Sequence, residues 1–206
     1  MVGRAAVVGP PYDPRMTIPD PKSTLVEGLG LLNEQVLHKL DGLSEYDLRR
    51  PVTPTGTNLL GLVKHLASVQ AGYFGETFGR PFPEDLPFDE DDPQADMYAR
   101  ADEPSESVIA FYRASWRHAL ETFAELDLDS VGAVPWWSEP EVTLHQILVH
   151  MTNETARHAG HLDIVREMID GDIGRSAGDS NIADGFDWPA YVEKLEAIAR
   201  GDSSES

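Results

Sequence analysis

The 206-residue chain predicts an all-α protein, a four-helix bundle with a long connection between helices two and three and a short C-terminal helix. Four segments repeat apolar residues at helical spacing, and helix-starting and helix-stopping residues flank them. No strand alternates with these helices as a βαβ fold would require.

Residues 1–22, rich in Pro and Gly, are expected to form a surface arm, residues 23–200 the bundle domain, and 201–206 a disordered tail. The first helix opens at a Thr24/Glu27 capping box, buries Leu25, Leu29, Leu32, Val36 and Leu40, and can close at Gly42. A short turn, LSEYDLRRP, follows. Thr57 can cap the second helix, whose apolar arc contains Leu59, Leu62, Leu66, Val69 and Tyr73, with His65 on its margin. Residues 79–104 carry five prolines and the acidic run 89–92, and a loop of that length is usually functional or spanning.

The third helix runs from Ser105 to Leu126, inward through Val108, Tyr112, Trp116, Ala119 and Phe123. The stretch VGAVPWWSEPE is β-prone but too broken for a proper sheet. Thr143 and Gln146 form a capping box for the fourth helix, which runs to Asp170 and stops at Gly171. Asp187 can cap the short final helix, with Phe186 and Tyr191 as its hydrophobic staple.

Composition narrows the function. A formal net charge of −20 repels nucleic acid and anionic membranes. With no cysteine, disulfides, thiolate metal sites and cysteine nucleophiles are excluded, so any thiol chemistry must use a small molecule. No apolar run is long enough to span a bilayer, and the N-terminal apolar patch is too short for a signal peptide, so a cytoplasmic location is expected.

The fourth helix carries the chemistry. Alternating steps of four and three give the seam Ile147, Met151, Glu154, His158, His161, Val165 and Met168, with ionisable groups where a bundle helix should be apolar. Burying them without partners costs several kcal/mol, and a divalent metal would compensate. Glu154 and His158, four apart, can grip one ion from adjacent turns, with His65 as third ligand. One carboxylate and two imidazoles make an open catalytic zinc site, and the same set suits nickel, manganese or ferrous iron. The bland alternative is that Glu154 and His158, four apart, form a surface ion pair, or that Glu154 pairs with Arg157 three residues on. His161 could line the pocket and move protons. His150 could support a ligand or sit half-buried in the core, and Trp136 and Trp137 could wall a pocket or simply pack.

The runs NETARHAGHLDIVREMIDG and TGTNLLGLVKHLASVQAGYF, in their order among four helices, resemble the DinB-like metalloprotein superfamily across residues 23–171. The chain is most similar to its actinobacterial branch of mycothiol-dependent enzymes. That resemblance implies a divalent metal held by His65, Glu154 and His158. Many superfamily members have histidine where this chain has Glu154, and the glutamate form resembles the mycothiol transferase and maleylpyruvate isomerase group.

The resemblance also implies chemistry on a low-molecular-weight thiol as co-substrate, whose sulfur attacks a small electrophile. Arg157, Asp163 and Arg166 are candidates to bind the rest of the thiol, or solvated face residues. A thiol-dependent isomerase, a hydrolase using the same ligands, and a non-catalytic metal-binding stress protein are the competing readings. A homodimer through Phe78 and Phe82, and a monomer that buries them under the acidic loop, are both compatible with the sequence.

Overall fold

The structure, a computed structural model, describes residues 19–179, 181–183 and 185–201. Most of the expected N-terminal arm and all but the first residue of the expected tail lie outside these.

Four long helices form the bundle: α1 (Pro21–His38), α3 (Leu59–Phe74), α4 (Ser105–Glu125) and α5 (Leu144–Asp170). Helix α3 packs on α4 and α5, and α1 packs on α5 and more lightly on α4. The second helix of the sequence is therefore the central one. It is buried nearly all round, with Leu59, Leu60, Leu62, Val63, Leu66 and Ala67 at most 2% exposed, as a helix enclosed by neighbours must be.

Several boundaries differ from expectation. Helix α1 begins at Pro21, capped by Asp20, whose carboxylate accepts from the backbone of Lys22 and Ser23. Proline fits the first turn because its missing N–H is not needed there. Asn58, not Thr57, caps α3, its Oδ1 accepting from Gly61 N at 2.7 Å. The LSEYDLRRP turn holds a one-turn helix α2 (Glu45–Arg49) capped by Ser44.

The broken β-prone stretch does form a hairpin, β1 (Val131–Ala133) antiparallel to β2 (Glu141–Thr143). It leads straight into α5, where the Thr143/Gln146 capping box is present in both directions and Gly171 ends the helix at φ 81°. Helix α6 (Trp188–Arg200) starts at Asp187 as expected, with Phe186 and Tyr191 rings 5.5 Å apart, but buries none of its residues.

The inward face of α5 departs from the expected seam. Leu144, Ile147, Leu148, Met151, Ala159, Leu162 and Val165 are buried, but His161 is exposed and Met168 is 59% exposed. The steps of four and three assume 3.5 residues per turn. An α-helix has 3.6, so a strict seven-residue repeat rotates about 20° per heptad. From Ile147 through Glu154 and His161 to Met168 the drift reaches about 60°. It takes this row of the seam from core to solvent, with Glu154 at the boundary, while Val165 in the other row stays buried.

Phe78 and Phe82 are both used within the chain. Phe78 packs against the core cluster that contains Leu29, Phe74, Phe123 and Ile147, and Phe82 meets Phe111 and His118, each at 5.5 Å. Among the described residues no helix is long and apolar enough to cross a membrane.

Candidate metal centre

His65 stands in the middle of α3, and Glu154 and His158 occupy adjacent turns of α5 where the two helices pack. The structure brings the three side chains together, their potential ligand atoms all within 4.8 Å of one another. Glu154 Oε1 is 3.0 Å from His158 Nε2 and 3.4 Å from His65 Nε2, and the two rings lie edge to face at 5.0 Å.

These spacings suit a metal. Three ligands each about 2.1 Å from a tetrahedral ion sit about 3.4 Å apart. The donor set of two neutral nitrogens and one carboxylate leaves a fourth position open, and the group is half-buried, with side chains 13% to 27% exposed. Arg157 is exposed, and the polar partners of Glu154 are the two histidines. Of the expected alternatives, the Glu154–Arg157 pair does not form, while Glu154 and His158 do pair at 3.0 Å but half-buried, not on the surface.

Electrostatics sort the three groups. Burial is the largest influence on each and disfavours the charged form. At His158 burial, together with the neighbouring His65, holds the pKa below the ordinary imidazole value, so the ring is a ready neutral ligand. At His65 burial is outweighed by the hydrogen bond and charge of Asp96 and then of Glu154, and the pKa rises. At Glu154 burial is outweighed by the two histidines, which hold the carboxyl below the usual range.

Asp96 is the residue of this cluster that sequence reasoning missed. It comes from the long loop, is 7% exposed, and its Oδ2 accepts from His65 Nδ1 at 2.7 Å. A carboxylate on the far nitrogen fixes the ring's tautomer and aims the Nε2 lone pair inward, as supporting carboxylates do at metal sites. The loop is seated by Asn58 Nδ2 on Met97 O at 3.4 Å, by Lys64 Nζ on Tyr98 O at 3.1 Å, and by the Lys64–Glu103 ion pair at 2.8 Å. Gly61 makes that seat possible, because a Cβ there would lie 1.8 Å from Met97 O. The only sequence signal was the unusual length of residues 79–104.

His161 does not join the three ligand candidates. Its Nδ1 lies 3.3 Å from His158 Nδ1, on the ring nitrogen facing away from Glu154. Arg166 is structural. It is 7% exposed, donates to Lys39 O and Asp41 O at 3.0 and 2.9 Å, pairs with Asp170, and so ties the ends of α1 and α5 together. Asp163 pairs with buried Lys39 at 2.8 Å. Of the three residues considered for the thiol, Arg157 alone is uncommitted.

His150, one turn before Glu154, lays its ring against Tyr73 at 4.7 Å and Trp137 at 5.0 Å. Trp137 Nε1 donates to the Tyr73 hydroxyl at 3.3 Å, so this tryptophan packs, while its neighbour Trp136 is 63% exposed and borders a cavity.

The fold is similar to that of a solved structure described as a conserved protein from Enterococcus faecalis, with a TM-score of 0.55 and 17% identity, covering 75% of this chain and 100% of that one. That likeness speaks to the fold alone. No curated protein matches the chain. A family model described as mycothiol-S-transferase matches residues 24–171, which contain all four bundle helices but for the first residues of α1, together with His65, Asp96, Glu154 and His158. The chain belongs to the mycothiol-S-transferase family.

Proposed function

We propose that this protein is a divalent-metal-dependent transferase that moves a low-molecular-weight thiol, mycothiol or a close relative, onto a small electrophile. The observation that carries the reading is the convergence of His65, Glu154 and His158 from two helices of a mycothiol-S-transferase family member. A bound divalent cation with an open position would favour thiolate over thiol, whose free pKa is about 8.5. Zinc is the first candidate, with nickel, manganese and iron as alternatives.

The chain's own residues do the remaining work. His65 and His158 offer neutral nitrogens, and Glu154 contributes one negative charge, so a divalent site keeps net positive charge toward an incoming thiolate. Asp96 holds His65 in the ligating tautomer. His161, exposed at the far nitrogen of His158, orients that ring and stands where a proton can be carried to solvent. The Cys-free composition means that the attacking sulfur belongs to the small molecule.

The test is metal analysis of the purified protein after supplementation, followed by mycothiol consumption with a reporter electrophile. Stoichiometric metal that Glu154→Ala loses, together with metal-dependent mycothiol consumption, supports the reading. A wild-type protein that takes up no metal, or thiol consumption that does not need it, rejects metal dependence, and absent thiol consumption rejects the transferase. Cysteine and glutathione serve as comparison thiols.

A further inference from the structure

A cavity of about 330 Å3 is lined by Val69, Gly72, Tyr73, Glu76, Phe88 and Trp136. That is near the lower end of the roughly 300–1,000 Å3 of small-molecule pockets. Its place follows from α3. His65, Val69 and Tyr73 succeed one another by fours on one face, so the cavity begins one turn, about 6 Å, beyond His65. On α5, His150 stands one turn before Glu154 and touches Tyr73, which in turn meets Trp136 at 5.9 Å. An aromatic wall therefore leads from the histidine–glutamate cluster into the cavity.

The lining selects the occupant. Tyr73, Phe88 and Trp136 present ring surface, Val69 and Gly72 present carbon, and Glu76 is the one charged residue among the six. A carboxylate or phosphate would meet no ammonium or guanidinium here, only Glu76 and a chain of net charge −20. A sugar-bearing thiol would find few polar partners for its many hydroxyls among these six residues. Exposed Arg157 and His161, the polar neighbours of the cluster, do not line this cavity.

We infer that this cavity is the acceptor subsite and takes a flat, uncharged molecule of one or two fused rings, with its electrophilic carbon toward His65 and Glu154. For its chemistry the inference rests on the thiol-transfer reading above; for binding it does not. With a benzylic bromide as acceptor, the C–S bond forms as the C–Br bond breaks, bromide leaves with the bonding pair, and the thiol's proton passes to solvent.

Two variants test it. Gly72 lines the cavity and a Cβ there meets nothing nearer than Leu86 Cδ1 at 3.9 Å, so Gly72→Leu is expected to take up cavity space. Trp136→Ala removes a 63% exposed ring on which little packing depends. Metal-free protein is titrated with 2-naphthalenemethanol and with 2-naphthoate while the Trp136 indole N–H is followed by NMR, and for Trp136→Ala the ligand's own resonances are followed. The alcohol is expected to bind about tenfold more tightly than the carboxylate, and each variant to weaken the alcohol by about tenfold. With metal-loaded protein and mycothiol, Gly72→Leu is expected to raise KM for 2-(bromomethyl)naphthalene about tenfold with kcat retained.

Equal or tighter binding of 2-naphthoate, or a folded Gly72→Leu protein that binds the alcohol unchanged, overturns the inference. Alcohol binding that follows the expected pattern without any thiol turnover would sink the transferase reading and leave the subsite standing. Turnover that ignores Gly72→Leu would do the reverse.

Discussion

Asp96→Ala removes the one side chain from the long loop that reaches His65. The carboxylate is 7% exposed and accepts from Nδ1 at 2.7 Å, so its loss frees the ring to rotate and to present the wrong tautomer. The loop itself should stay seated, because Met97, Tyr98 and Glu103 keep their bonds to Asn58 and Lys64. The effect therefore isolates the support of one ligand. Losing such a partner typically weakens metal binding about 10- to 100-fold, or about 1.4–2.8 kcal/mol. Calorimetric titration of zinc into chelator-stripped protein at neutral pH measures it. Asp96→Asn keeps an acceptor but loses the charge, and should fall between parent and alanine. An Asp96→Ala protein that binds zinc as tightly as the parent would show that the carboxylate does not prepare His65 for a metal.

Three further predictions follow from the same contacts. Metal affinity should fall as pH drops from about 8 to about 6, because a proton competes for each imidazole; Asp96 and Glu154 raise His65 above 6.5, so it is protonated first, while His158, held lower, stays neutral further down. In the metal-free protein the two rings act on stability in opposite directions with pH. The contribution of His65 is present below 6.5 and lost as pH rises through its raised value, and that of His158 is present above 6.5 and lost as pH falls through its lowered one. An affinity flat across this pH range would contradict ligation by imidazole. Gly61→Ala, which would gain about 1 kcal/mol in an open helix, should instead cost about 1–3 kcal/mol in urea unfolding and weaken metal binding, because the methyl group strikes Met97 O and pushes Asp96 away. Arg166→Met should cost about 3 kcal/mol by orphaning two carbonyls of the α1 terminus, yet leave metal affinity unchanged; a matching loss of affinity would refute its purely structural assignment.

Local sequence determined much of this protein. The four helices, the capping box at Thr143, the stop at Gly171 and the start at Asp187 depend on spacings of seven residues or fewer, and such rules act within one or two turns. The pair Glu154 and His158 was legible for the same reason, since residues four apart on a helix share a face in any helical fold. Their meeting with His65 required only that two apolar arcs pack.

Tertiary structure decided what depended on rotation and on distance along the chain. Whether His161 faced the core turned on a drift of about 20° per heptad, which no count of fours and threes contains. Asp96 lies 31 residues from His65 in a segment without periodicity. Its arrival depends on the missing side chain of Gly61 and on Lys64 and Asn58, which hold the returning backbone. Contacts of that range are chosen by which surfaces fit once the helices have packed, and so they appear only in the folded molecule.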